Sequence, residues 1–194
     1  MELVEKLPVR KKRTKIHPHK FALWVACASI VMMFAALTSA YVVRRAGGNW
    51  LEFGLPDVFY YNTVVIILSS AFLHMSYWAF TKGNTALYRS LLGGATFLGI
   101  AFVGLQYVGW ETLAASGIGF KANPSSSFLY VISGLHALHV MGGIAALIIA
   151  FVLSVSRKHE VTPLRKLRFE LVVHYWHFVD ILWIYLFGFL LTQA

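Results

Sequence analysis

Five stretches of this chain, residues 21–43, 58–81, 90–110, 125–156 and 171–194, are long and apolar, and Asp180 is the one Lys, Arg, Asp or Glu among them. A helix needs about 20 apolar residues to cross the hydrocarbon of a bilayer. Hydrocarbon offers no partner to a free backbone N–H or C=O, so only helices and closed barrels span it, and the ten-residue alternating strands of a barrel are absent. The expected fold class is therefore all-α, a polytopic membrane helical bundle of five transmembrane helices. The spans are placed at about 21–45, 58–81, 90–112, 125–156 and 170–192, one domain over 21–194 behind a basic segment at 1–20.

Composition excludes the soluble alternative. Of the 194 residues 58% are hydrophobic and 13% charged, against about 45–50% and a quarter in soluble domains. The first span imitates a secretory leader, with basic residues before it and Leu37-Thr38-Ser39-Ala40 within it. Its apolar run of about 23 residues is too long for a leader core, so it is expected to stay as a helix. Cys27 has no second cysteine to pair with, which removes a disulfide framework and a thiolate metal site.

The net charge of +9 would suit nucleic acid if it formed a phosphate-reading surface. Its distribution speaks for a membrane instead. Lys6, Arg10, Lys11, Lys12, Arg13, Lys15 and Lys20 precede the first span, Lys82 and Arg89 flank the 2/3 link, and Arg157, Lys158, Arg165, Lys166 and Arg168 fill the 4/5 link. On the other side fall only Arg44, Arg45 and Lys121. Positive charge stays on the cytoplasmic side, so the N-terminus is expected inside and the C-terminus outside, and the 4/5 link becomes a candidate surface for lipid head groups. No nucleic acid partner is expected.

A charged group at mid-bilayer costs about 2.5 to 3.5 kcal/mol on insertion scales, so the few polar residues in the spans are informative. They are Asn62 and His74 in the second span, Gln106 with Glu111 at the end of the third, and His136 and His139 in the fourth. The fifth carries Glu170, His174 and His177 at i, i+4 and i+7 with Asp180 one turn on, which aligns them along one side of a helix. Leu190 is expected to face lipid. Two explanations compete within the chain, beside a third in which the polar groups belong to a site shared with a partner subunit or a lipid head group. The pairs His136/His139 and His174/His177 could ligate a metal or haem in a stand-alone membrane protein, imidazole being the commonest ligand. The other explanation has each imidazole bonded to a carbonyl, hydroxyl or carboxylate of a neighbouring helix, and it is favoured because no set of convergent carboxylates accompanies the pairs. A small transporter fits poorly, since no Gly/Pro-broken repeat is present. Ala28, Ala35, Ala36 and Ser39 in the first span, and Gly93, Gly94, Ala95, Gly99 and Gly104 in the third, are expected to let helices approach closely. Trp24, Trp50, Trp78 and Trp110 lie near span ends, where indoles anchor at the interface.

At the fifth span, Tyr175-Trp176-His177-Phe178-Val179-Asp180-Ile181-Leu182-Trp183 closely resembles the last helix of subunit III of haem-copper cytochrome oxidases. Gly134-Leu135-His136-Ala137-Leu138-His139-Val140 resembles the preceding helix of that family, and Pro56 with Asn62-Thr63, and Leu105-Gln106, match as well. The resemblance runs over almost the whole chain and is to the five-helix bacterial form, without the first two helices of longer members. Ile30 stands where the family usually buries a glutamate, and Glu111 lies two positions beyond the family's acidic residue. The resemblance implies family-motif roles for Asn62, Gln106, Glu111, His136, His139, Glu170, His174, Trp176, His177 and Asp180. It implies a non-catalytic accessory subunit with no cofactor of its own, haem and copper residing in partner subunits. Its partners would be subunits I and II of a cytochrome c or quinol oxidase, phospholipid, and in some organisms a larger respiratory supercomplex. Its place would be the bacterial inner membrane, and its work to steady subunit I, hold lipid and sustain proton uptake.

Topology is directly measurable. In sealed cells a cysteine introduced at Asn123 is expected to react with an impermeant maleimide added outside, and one at His159 is not.

Overall fold

The computed structural model describes residues 17–156 and 160–193. Among these the chain forms five helices: α1 (Pro18–Ala46), α2 (Val58–Thr81), α3 (Thr85–Ala115), α4 (Pro124–Ser156) and α5 (Pro163–Gln193). Each is long and apolar enough to cross a membrane, and the chain is a multi-pass helical bundle. Arg157, Lys158 and nearly all of the basic segment 1–20 lie outside the described residues.

The helices run past their apolar windows wherever local chemistry can finish them. Asn84 accepts the Leu87 N–H at 3.2 Å, so α3 starts at Thr85 rather than at the first uncharged residue. Thr162 accepts the Arg165 N–H at 3.3 Å ahead of Pro163, so α5 carries its basic residues and Glu170 inside the helix rather than in the link. Proline also opens α1 and α4, where its fixed φ suits the first turn and its missing N–H is not needed. The link from α2 to α3 is short because Gly83 takes φ +78°, which lets Asn84 N–H return to the Ala79 carbonyl at 3.1 Å.

Consecutive helices from α2 to α5 are neighbours, and α5 also packs on α2, closing a four-helix ring. The first helix, α1, lies outside that ring against α4 and α5 only, and buries just Phe34, Thr38 and Tyr41. Its small residues Ala28, Ala35, Ala36 and Ser39 are all exposed, contrary to the expectation that they mediate approach within the chain. The larger Phe34, whose ring lies 5.8 Å from that of His139, makes the contact instead.

In α3 the small residues do serve that purpose. The indole of Trp176 is fully buried and lies so close to α3 and α4 that a β-carbon on Gly99 would stand 2.7 Å from it and one on Gly143 2.9 Å. Gly93 faces Phe151, Gly94 faces Phe72, and Gly109 faces Phe59 in the same manner, while Gly104 meets nothing within 4 Å. The tryptophans at span ends divide: Trp24 and Trp78 are more than half exposed, whereas Trp50 and Trp110 pack inward against Tyr41 and Tyr130.

Overpacking typically costs about 1 to 3 kcal/mol. Gly99→Ala is expected to lose stability in that range, and Gly104→Ala is not; the unfolding midpoints of the two variants in detergent compare them.

Candidate functional site

The polar side chains of the spans are distributed along the interior of the ring in levels. At the end where α1 begins, Glu170 accepts a hydrogen bond from the Tyr77 hydroxyl at 2.7 Å and pairs with Lys20 at 2.6 Å. One carboxylate thereby ties α5 to α2 and to α1. Below it the rings of Phe80, Tyr88 and Phe169 meet with centroids 5.2 to 5.5 Å apart.

Near the middle of α5, His177 Nδ1 lies 3.1 Å from the Ser70 hydroxyl of α2, and its ring is 5.6 Å from that of His74. Asp180 is buried beside the same serine, and its Oδ1 makes no hydrogen bond. The polar stripe of α5 is thus not uniform. At about 100° per residue His174 and Asp180 are separated by roughly a third of a turn around the axis. His174 consequently faces outward and bonds only to its own helix, at the Glu170 carbonyl, 2.6 Å away.

Toward the end where α1 finishes, Asn62 donates to Gln106 at 2.9 Å, joining α2 to α3, and Trp183 donates to Thr63 at 3.0 Å, joining α5 to α2. His136 is fully buried and stacks on Trp183 at 5.1 Å with Phe102 edge-on at 5.9 Å. Neither of its ring nitrogens has a hydrogen-bond partner. This departs from the expectation that each imidazole bonds to a neighbouring helix. Packing between aromatic faces holds His136, and His139 turns back to the Leu135 carbonyl at 2.7 Å. Glu111 is exposed at the far end of α3.

Of the four imidazoles proposed for a metal or haem, His136 and His139 both meet the Phe34 ring while His174 and His177 face different ways, and no group of three His, Cys, Asp or Glu side chains suited to a metal ion occurs among the described residues. Leu190, expected toward lipid, is 3% exposed; the end of α5 turns it into the ring. Sequence reasoning passed over Tyr77, Ser69, Ser70, Tyr175 and Tyr185. Ser69 donates to the Ala95 carbonyl at 2.8 Å, and Tyr175 to the His139 carbonyl at 3.1 Å. A hydroxyl among apolar residues is a faint signal, because it can equally bond to its own helix.

A second polar set fastens α1. Besides Lys20 with Glu170, Thr38 shares a hydrogen bond with Tyr185 at 3.0 Å, and Arg45 donates to Gln193 at 2.8 Å. The partners ascend both helices together, so α1 and α5 run parallel and are tied at three heights.

Chemically, this arrangement binds helices to one another. The sequence matches the family model described as cytochrome c oxidase subunit III over residues 17–192. It is 32% identical over 176 residues to the probable cytochrome c oxidase subunit 3 of Nocardia farcinica, covering 86% of this chain and 82% of that one. It is 33% identical over 171 residues to the protein of the same name from Mycobacterium bovis, with 85% and 82% covered. A heme-copper oxidase subunit I+III from Aeropyrum pernix is 30% identical over 135 residues, 64% of this chain and 17% of that one.

The Asn62–Gln106 bond invites a double-mutant cycle. Gln106→Leu is expected to cost about 1 to 3 kcal/mol, because it strands a buried amide, while Asn62→Leu/Gln106→Leu costs less than the single change, since no polar group is left behind. Denaturation of the four proteins measures the coupling.

Proposed function

The chain belongs to the cytochrome c oxidase subunit III family, and on that premise we propose that it is a non-redox supporting subunit of a proton-pumping haem-copper terminal oxidase, packed against subunit I. The observation that carries this reading is where its polar groups are used. Glu170, His177, Asn62, Gln106 and Trp183 are engaged between helices, as suits a wall built to stay rigid. Electron chemistry belongs to haem and copper in partner subunits, with cytochrome c or quinol as donor. The relative whose name joins subunits I and III in one protein supports contact with subunit I.

Lipid holding draws support from the end of the bundle where α5 begins. A cavity of about 280 Å³ lies between α3, α4 and α5, with Ile149, Leu153, Phe169 and Val172 along its walls and Arg165 and Arg168 at its rim. An acyl chain suits the walls, and a phosphate suits the cations. With Lys166 these cations make a basic border on the cytoplasmic side of the inner membrane; Arg157 and Lys158, the other head-group candidates of the 4/5 link, lie outside the described residues. Anionic head groups gathered there, close to the entrance for protons, would sustain proton uptake by subunit I. Asp180, His174, His136, His139, Trp176 and Glu111 are assigned to keeping this wall in register with its partners.

The test is oxygen consumption over many turnovers by the oxidase with and without this subunit. The stripped enzyme is expected to keep its haem spectrum and its initial rate and then to lose activity sooner. Loss of the haem spectrum would assign a cofactor role instead, and equal decay would remove the supporting role.

A further inference from the structure

On the membrane face where α1 ends, cations are scarce: among the described Lys and Arg only Arg44, Arg45 and Lys121 fall there. Cations on that side oppose the charge bias of membrane proteins, so each calls for a local reason. Arg45 has one, donating to Glu52 at 2.9 Å and to Gln193 at 2.8 Å. Arg44 and Lys121 lie far apart in sequence yet line the same open cavity of about 480 Å³, together with Pro124, Ser127 and Phe128. No carboxylate lines it.

The chain fixes Arg44 and the turn that carries Lys121. Arg44 bends over the end of its own helix and donates to the Gly48 carbonyl at 3.0 Å. Asn123 brings the following segment to the start of α4, accepting the Leu51 N–H at 3.3 Å and the Ser125 N–H at 3.0 Å. Ser126 and Ser127 hold the turn that carries Lys121, donating to the Gly119 carbonyl at 2.9 Å and the Phe120 carbonyl at 2.6 Å. Beneath, Phe128 stands edge-on to Tyr41 at 5.8 Å. The result is a recess lined by two cationic side chains and the Phe128 ring, at the end of the bundle where α1 finishes.

We infer that Arg44 and Lys121 form a binding site for the phosphate of an anionic phospholipid in the leaflet at which α1 ends, with Phe128 and Pro124 receiving the glycerol and the first methylenes. Two cations lining one recess match a phosphodiester. The apolar lining suits what hangs from it in a lipid and has no counterpart in free phosphate or in an acidic peptide. The site lies in the opposite leaflet from the cavity at Arg165 and Arg168 and shares no residue with it.

The test uses the assembled oxidase in nanodiscs of phosphatidylglycerol or phosphatidylcholine, with retained lipids counted by native mass spectrometry. Arg44→Gln/Lys121→Gln is expected to hold phosphatidylglycerol about tenfold more weakly at one site, and Arg44→Lys/Lys121→Arg to hold it as the parent does. Should the neutral double variant fail to assemble, Lys121→Gln alone is expected to show a fall of about fivefold. Phosphatidylcholine bound as firmly, displacement of the lipid by millimolar inorganic phosphate, or retention unchanged in the neutral variants would each overturn the site. A crosslink from Lys121 to an acidic segment of a partner subunit in place of lipid would do the same. Arg168→Gln is expected to leave this lipid bound, so the result stands apart from the reading of the inner cavity.

Discussion

The distance between α5 and its neighbours depends on one side chain, the Trp176 indole, which lies flush against backbone at Gly99 and Gly143. In a bilayer, apolar surface gains little by turning from lipid to protein, so helices associate where their surfaces fit closely and where a few polar groups meet. The large flat ring on one helix and the missing side chains on two others supply that fit over the middle of the ring. With α5 seated, its C-terminal half brings Trp183 onto His136 and within reach of Thr63, and its N-terminal half brings Glu170 to Tyr77. The polar bonds are short because the packing has already set the separation.

Much of this was legible in the residues, and what was not has a common cause. Windows with no charge, or with Asp180 alone, disclosed five helices because hydrocarbon penalises charge most at its centre. Helix ends were less visible: Asn84 and Thr162 finish helices that extend well past the apolar windows. The polar residues were visible, but their partners were not, since partnership depends on how each helix is rotated about its axis. A rotation of one residue, about 100°, separates His174 on the outside from Val173 in the core. The same uncertainty concealed that Leu190 points inward and that Ala28, Ala35, Ala36 and Ser39 point away from the chain. His136 is a further case: a buried imidazole reads as a bonded group, yet aromatic faces surround it.

The ring and α1 are held by different means. From α2 to α5 the helices bury broad aromatic and aliphatic faces, while α1 buries three side chains and relies on Lys20, Thr38 and Arg45 meeting Glu170, Tyr185 and Gln193. Exposed ion pairs contribute little, but bonds spread along a helix fix its rotation and its height. An outer helix so placed presents a defined apolar surface, with its small residues outward, to whatever lies beside it in the membrane.

The order of packing also bears on synthesis. Each helix of the ring meets its predecessor as soon as it is made, joined by a link of a few residues between α2 and α3. The exception is α1, whose contacts are all with α4 and α5. Of these five helices it is made before the others, and it waits in the lipid until α4 and α5 arrive, so the first of the five to enter the membrane is docked late. Its apolar surface, unrelieved by any buried charge, allows that wait.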